Sequence, residues 1–197
     1  YEFSFTINSL TQKTLAYRLR AEINSMAVET VNGEDYMSDT AYALSPLVSF
    51  ETSAAYSFVY DLNGDGKLDK QDASVILAIA NGKSASESEQ LLCDLDKDGV
   101  VTSYDARLFL ECLEGKNDAI NVFDTAYTVP AGSSIEIKVT VTLSDADREY
   151  LAENYPNGCY VEGFIYADDP TAANPELSFP MLAYYGNWTE PSMFDKY

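Results

Sequence analysis

The chain has 197 residues, enough for one large or two small domains, and its 46% hydrophobic content is that of ordinary globular protein. A formal charge of −20 argues against nucleic acid or an anionic membrane as partner, and no apolar run reaches the ~18 residues of a membrane span. The lack of histidine excludes a Ser-His-Asp triad and disfavours zinc.

In chain order, Tyr1, Phe3, Phe5 and Ile7 alternate, as do Leu15, Tyr17, Leu19 and Ala21. This is the period of strands with one buried face. Tyr1 begins inside the first pattern with no charged-then-apolar leader, so the chain reads as an excised fragment. Asn32-Gly33 marks a turn, Leu47 to Phe50 a further strand, and Tyr56 to Tyr60 an aromatic, β-branched strand.

Two 12-residue segments 33 residues apart, Asp61 to Asp72 and Asp94 to Asp105, then repeat one pattern of oxygen donors. Ca²⁺ takes six to eight hard oxygen ligands, which such a loop supplies from positions 1, 3, 5, 7, 9 and 12. The first loop offers Asp61, Asn63, Asp65, the Lys67 carbonyl, Asp69 and Asp72. The second offers Asp94, Asp96, Asp98, the Val100 carbonyl, Thr102 and Asp105. Gly66 and Gly99 stand sixth, where the chain turns back on the ion with a positive φ. Two bound Ca²⁺ ions are expected.

The offset also maps Ala73 on Ala106, Leu77 on Leu110, Gly82 on Gly115 and Lys83 on Lys116. Val75, Ile76 and Ile79 in one copy, and Leu108, Phe109, Cys112 and Leu113 in the other, predict helices leaving the loops. Ser86 with Glu89 forms the capping box of a linker helix. No entering helix precedes the first loop, and Asp replaces the usual Glu at position 12. With these features Asp61 to Lys116 resembles a type I dockerin over its whole length.

The resemblance implies a cohesin partner, read at loop positions 10 and 11 and on the exiting helices. Those positions are Lys70-Gln71 and Ser103-Tyr104, with Leu77-Ala78 and Leu110-Glu111 on the helices. The two copies differ, and the family's basic pair is absent. The resemblance also implies that the two loop–helix units pack antiparallel, bringing the ends of the module together.

Beyond it, Ile135, Ile137, Val139, Val141 and Leu143 show the cleanest alternation in the chain. Ser144 with Asp145 and Asp147 opens a short helix to about Asn154, closed by Pro156. Strands are predicted over Cys159 to Tyr166 and Leu177 to Tyr185, with turns at Asn157-Gly158 and Gly186-Asn187. The predicted fold is an all-β fibronectin type III/immunoglobulin-like sandwich, residues 1–60 plus 117–197, with an inserted α-helical dockerin, residues 61–116.

The turn Pro130-Ala-Gly-Ser before the Ile135 strand, the run Asn157-Gly-Cys-Tyr-Val-Glu-Gly-Phe164, and a strand leading to Gly186-Asn-Trp188 carry a second resemblance. They are similar to the fibronectin-type domain of cell-envelope subtilisin-like proteases, the lactocepins and complement-cleaving surface peptidases. That resemblance implies a non-catalytic region packed on the catalytic domain of a larger extracellular or cell-surface protein. Trp188 is a candidate anchor for that domain, with local packing as the other reading.

Three further features have plain readings. The fifteen tyrosines are read as core and cross-strand packing rather than a carbohydrate platform, with Tyr184, Tyr185 and Trp188 the best exposed. The pairs Asp145/Asp147 and Asp168/Asp169 are read as helix-start and loop acids, not a glycosidase dyad. Cys93, Cys112 and Cys159 form no zinc spacing, and buried thiols are favoured over a Cys93–Cys112 bridge.

Two functional readings follow. In the first, the calcium module is a structural spacer in the accessory region of a secreted protease, and the nesting favours it. In the alternative, it is an adhesive dockerin that tethers a parent enzyme to a cohesin.

Overall fold

A computed structural model describes residues 1–187 of the protein, except the side chain of Asp39. The elements run β1 (Glu2–Asn8), β2 (Leu15–Val31), β3 (Glu34–Ala43), β4 (Leu47–Glu51), β5 (Tyr56–Phe58), α1 (Lys70–Ala80), α2 (Glu87–Cys93) and α3 (Ser103–Leu113). They continue with β6 (Thr125–Val129), β7 (Ser134–Thr142), α4 (Asp145–Asn154), β8 (Cys159–Asp168) and β9 (Leu177–Tyr185). No described helix is long and apolar enough to cross a membrane.

The strands form an open sandwich of two antiparallel sheets. One sheet has the order β1-β7-β4, and the other β5-β6-β2-β8-β9 with β3 also on β2. The alternation read in β7 is realised in space: Ile135, Ile137, Val139 and Val141 point inward, and their neighbours do not. They meet Ile23, Val161 and Ile165 of the facing sheet and Leu151 of α4 in one apolar core. Ile137, Val139 and Leu151 are fully buried, each worth roughly 1.5–3 kcal/mol of apolar transfer. At Gly163 of β8 a Cβ would lie 2.0 Å from the Glu22 carbonyl oxygen, so the close β2–β8 approach requires glycine.

Helices α1 to α3 occupy the connection between β5 and β6, which pair directly from Tyr56↔Tyr127 to Phe58↔Thr125. Their apolar faces build a second core around Ile76, Leu95, Leu108 and Phe109. That core does not stop at the helices. Val59 and Tyr60 after β5, and Val122 and Ala126 on the return, are buried members of it. The helical segment therefore rests on strand β6 instead of hanging from a tether.

Several expectations are met locally. Tyr56–Phe58 is a strand where an ordinary EF-hand has its entering helix. Ser86 and Glu89 form the capping box of α2, and Ser144 and Asp147 that of α4. All three cysteines are buried and unbonded, so no Cys93–Cys112 bridge forms.

One strand was not legible beforehand. β3, and the half of β2 it pairs with, lie on either side of the Asn32-Gly33 turn, yet their side chains are mostly exposed. Without a buried face there is no hydrophobic period to read.

Candidate functional site

The two acidic loops are built from the ends of helices. Asp69 and Thr102 are the N-caps of α1 and α3, accepting from the amides of Gln71 and Tyr104. Each helix begins with a capping box whose returning residue is the twelfth residue of its loop, Asp72 or Asp105. Asp72 Oδ1 accepts from the amides of Leu62 (2.9 Å) and Asn63 (3.2 Å), and its Oδ2 from that of Asp69 (2.9 Å). Asp105 repeats this: Oδ1 takes the amides of Leu95 (2.8 Å) and Asp96 (3.3 Å), and Oδ2 the amide of Thr102 (2.8 Å).

These carboxylates tie the second, third and ninth residues of each loop to the twelfth, and both are fully buried. Burial pushes the Asp105 carboxyl up, but the hydrogen bonds from Thr102, Leu95 and Asp96 outweigh it and hold the group below its ordinary range.

The loops differ in how their remaining oxygens are used. In the first, Asp61 Oδ1 accepts from the Asp65 amide (3.1 Å) and Oδ2 from that of Gly66 (2.8 Å). Asn63 Oδ1 takes the Asp65 amide (2.8 Å), and Asp65 Oδ1 the Lys67 amide (2.9 Å). In the second loop Asp94 Oδ2 takes the Gly99 amide at 2.9 Å, while Asp94 Oδ1 is buried and has no partner.

Asp94, Asp96 and Asp98 each offer a carboxylate oxygen within 4.8 Å of the others. Partial desolvation, with the neighbouring charges of Asp98, Asp105 and Asp94, raises the Asp96 carboxyl above its ordinary value, against the hydrogen bond with the Asp98 amide. Three gathered carboxylates and one orphaned buried oxygen are costly without a cation. The donor set is all hard oxygen, so it fits Ca²⁺. Gly66 (φ 80°) and Gly99 (φ 92°) take the left-handed turn expected at the sixth position.

The remaining predicted ligands hold their sequence places: Lys67 and Val100 are exposed in the loops, and Thr102 donates its hydroxyl to Asp105 Oδ2 at 3.2 Å. Among the described residues, Asp94, Asp96 and Asp98 are the acidic group close enough together that it could hold a metal, and the acids of the first loop are not gathered in this way.

Of the expected contact residues, Lys70, Gln71, Ser103 and Tyr104 are all exposed at the starts of α1 and α3. Lys70 Nζ lies 3.3 Å from Glu114 Oε1, which places the start of α1 beside the end of α3 in an antiparallel pair. The two copies present different chemistry. On α3 the Arg107 guanidinium lies 4.8 Å from the Tyr104 ring centroid and 3.5 Å from Glu111 Oε1. On α1 the corresponding surface offers Gln71 and the 44%-exposed Leu77.

Arg107 escaped the sequence reading, although its spacing three after Tyr104 and four before Glu111 is a helix-surface signal. Trp188 lies outside the described residues. Tyr184 and Tyr185 are half-buried, and Tyr184 donates to the Asn157 carbonyl.

The other acid pairs have structural work. Asp168 binds Arg18, and Asp169 accepts from Thr171 and Asn174. Asp147 accepts from the amides of Ser45 and Ser144.

Residues 59–114 match the family model of the dockerin type I domain. Over these residues the chain is similar to dockerin type I modules. Residues 89–182 match the model of an Fn3-like domain, so the two overlap over residues 89–114. The structure folds that shared stretch as α2 and α3, and the Fn3-like match continues through β6, β7 and β8. No curated protein matches the chain. Neither matched domain type is a catalytic one.

Proposed function

We propose that the chain is an adhesive unit whose calcium-loaded dockerin module binds a cohesin-type partner and so tethers a larger extracellular enzyme. The observation that carries this reading is the dockerin type I match over the residues that form the paired loop–helix units. In the proposal each loop holds one Ca²⁺, with Asp61, Asn63, Asp65, Lys67, Asp69 and Asp72 around the first and Asp94, Asp96, Asp98, Val100, Thr102 and Asp105 around the second. Bound calcium cancels the repulsion among these carboxylates and so sets the angle at which α1 and α3 leave their loops.

The partner face comprises the exposed starts of the two helices. Tyr104 and Arg107 form its aromatic and cationic end, and Gln71 and Leu77 the other. Because the halves differ, the module binds in one orientation rather than two equivalent ones. Aromatic and arginine side chains are the common anchors of such surfaces, which favours the α3 half as the energetic centre.

A second reading is favoured by one observation, the sharing of Val59, Val122 and Ala126 between the β5–β6 ladder and the helical core. In it the module, residues 61–116, is a rigid spacer within a sandwich of residues 1–60 and 117–197, next to the catalytic domain of a secreted subtilisin-like protease.

Isothermal titration against a panel of cohesins separates the two. Calcium-dependent binding, weakened at least tenfold by Y104A with R107A, supports the adhesive reading. A panel without binding in calcium, while EGTA still lowers the melting temperature, leaves the spacer.

A further inference from the structure

β2 is 17 residues long, but β8 covers it only as far as Asn24, where Asn24 pairs with both Glu162 and Ala43. From Ser25 onward it pairs with β3 alone, making a two-stranded ribbon that runs past the neighbouring strands of its sheet. Among the described residues β3 has no partner on its other edge. All its described side chains are exposed except the half-buried Ser38.

A ten-residue free edge is a template for adding a strand, and proteins ordinarily blunt such edges with charged side chains, lysine above all, with proline, a bulge or a covering loop; the charges of β3 are all acidic, so they repel a like edge but not a basic strand. β3 has neither lysine nor proline. Its paired edge shifts register between Met26 and Val28, at the base of the ribbon and on the other strand.

The base is held in place. Both Tyr150 and Tyr155 of the α4 region donate their hydroxyls to the Met26 carbonyl at the register shift. Tyr42 stacks on Tyr150 with ring centroids 3.7 Å apart. α4 thus fixes the direction in which the ribbon leaves the sandwich, so its edge is presented without the cost of ordering a loop.

The chemistry of the edge selects its partner. Between Asn24 and Ala43 there is no lysine or arginine, while Glu29, Glu34 and Asp35 are exposed. Val31, Tyr36 and Met37 are more than half exposed among them. Two such ribbons repel, which disfavours a second copy of this chain.

We infer that β3 is a docking edge that accepts an extended, lysine- or arginine-rich strand of a partner protein by β-addition. Backbone pairing along Glu34–Ala43 supplies the affinity. The acidic side chains supply the selectivity, and Tyr36 and Met37 the apolar contacts. This site is independent of the calcium loops.

The test uses the whole chain, isotope-labelled, titrated with a capped peptide alternating lysine and valine, with its glutamate counterpart and with a version N-methylated along one edge. The expected result is chemical-shift change confined to β3 and its turn with the basic peptide. Binding should weaken about tenfold in the folded E34K/D35K variant and in high salt. N-methylation should abolish it. Equal binding of the two charge types, shifts mapping elsewhere, or undiminished binding of the N-methylated peptide would overturn the proposal even if the variant fails to fold. Sedimentation showing dimers that dissociate when the ribbon is altered would overturn it in favour of a second copy.

Discussion

The amide of Val59 donates to the carbonyl of Asp124 at 2.9 Å, extending the β5–β6 ladder to where the chain enters and leaves the helical segment. Arg18 reinforces this junction by bridging Asp124 at 3.2 Å and Asp168 of β8. A connection of more than sixty residues therefore begins and ends at one hydrogen bond, and the entropy of closing it is borne by the folded helices. Whatever loosens the helices loosens this closure, because Val59 and Val122 belong to their core.

Thiol labelling reads that coupling. Cys93 is 1% exposed and adjoins Asp94; burial first, then the charges of Glu89 and Asp105, push its thiol up to about 11. Cys112 is buried in the same helical core, while Cys159 is buried in the sandwich core. Calcium removal is expected to speed modification of Cys93 and Cys112 by at least ~10-fold, with Cys159 lagging. Mass spectrometry assigns the three rates. Equal acceleration of all three would mean that the chain unfolds as one unit, and no acceleration that the loops need no ion.

The two loops are expected to differ in calcium affinity. Asp94 keeps a buried oxygen free of hydrogen bonds, whereas both oxygens of Asp61 are satisfied by loop amides that an ion must disturb. D94N should therefore weaken the tighter phase in a calcium titration, and D61N the weaker one. Each should lose at least ~10-fold in its own site, about 1.4 kcal/mol, at the low end for one charge-assisted contact. Identical effects on both phases would show the sites to be equivalent.

Much of the loop geometry was readable because the pattern is local: spacing, glycine and donor type all lie within twelve residues. The difference between Asp94 and Asp61 was not readable, since it is one of burial: Asp94 is buried and Asp61 only half-buried. The ribbon escaped for another reason. Its strands gain order from backbone pairing and from Tyr150 and Tyr155, more than a hundred residues away, not from an apolar face of their own. Nothing in residues 24–43 alone encodes those contacts.

Acid should weaken the sandwich through Asp147. Burial raises its carboxyl, but the hydrogen bonds from Ser45 and Ser144, with the Arg148 charge, prevail and hold it below its ordinary value. A folded-state value below the unfolded one of about 4 means that the ionised group stabilises the fold above that pH. The contribution is lost as pH falls through the lower folded value. D147N should cost about 1–2 kcal/mol at pH 7 and flatten the pH dependence below 4, as measured by urea unfolding in saturating calcium. An unchanged acid limb would remove Asp147 from the account.

The fourth position of each loop offers a reciprocal test of backbone strain. Gly64 sits there with φ 72° in the first loop, and Lys97 with φ 62° in the second. A left-handed conformation costs an ordinary residue roughly 1–2 kcal/mol, a penalty that glycine escapes. Lys97 recovers part of this by donating Nζ to the Leu91 carbonyl at 3.1 Å, an exposed bond of small net worth. K97G should therefore stabilise the calcium-loaded protein by up to ~1 kcal/mol, and G64K should destabilise it by ~1 kcal/mol or more. Thermal unfolding in saturating calcium reads both. Stabilisation by G64K, or a loss on K97G larger than the lysine hydrogen bond explains, would mean that backbone strain does not govern this position.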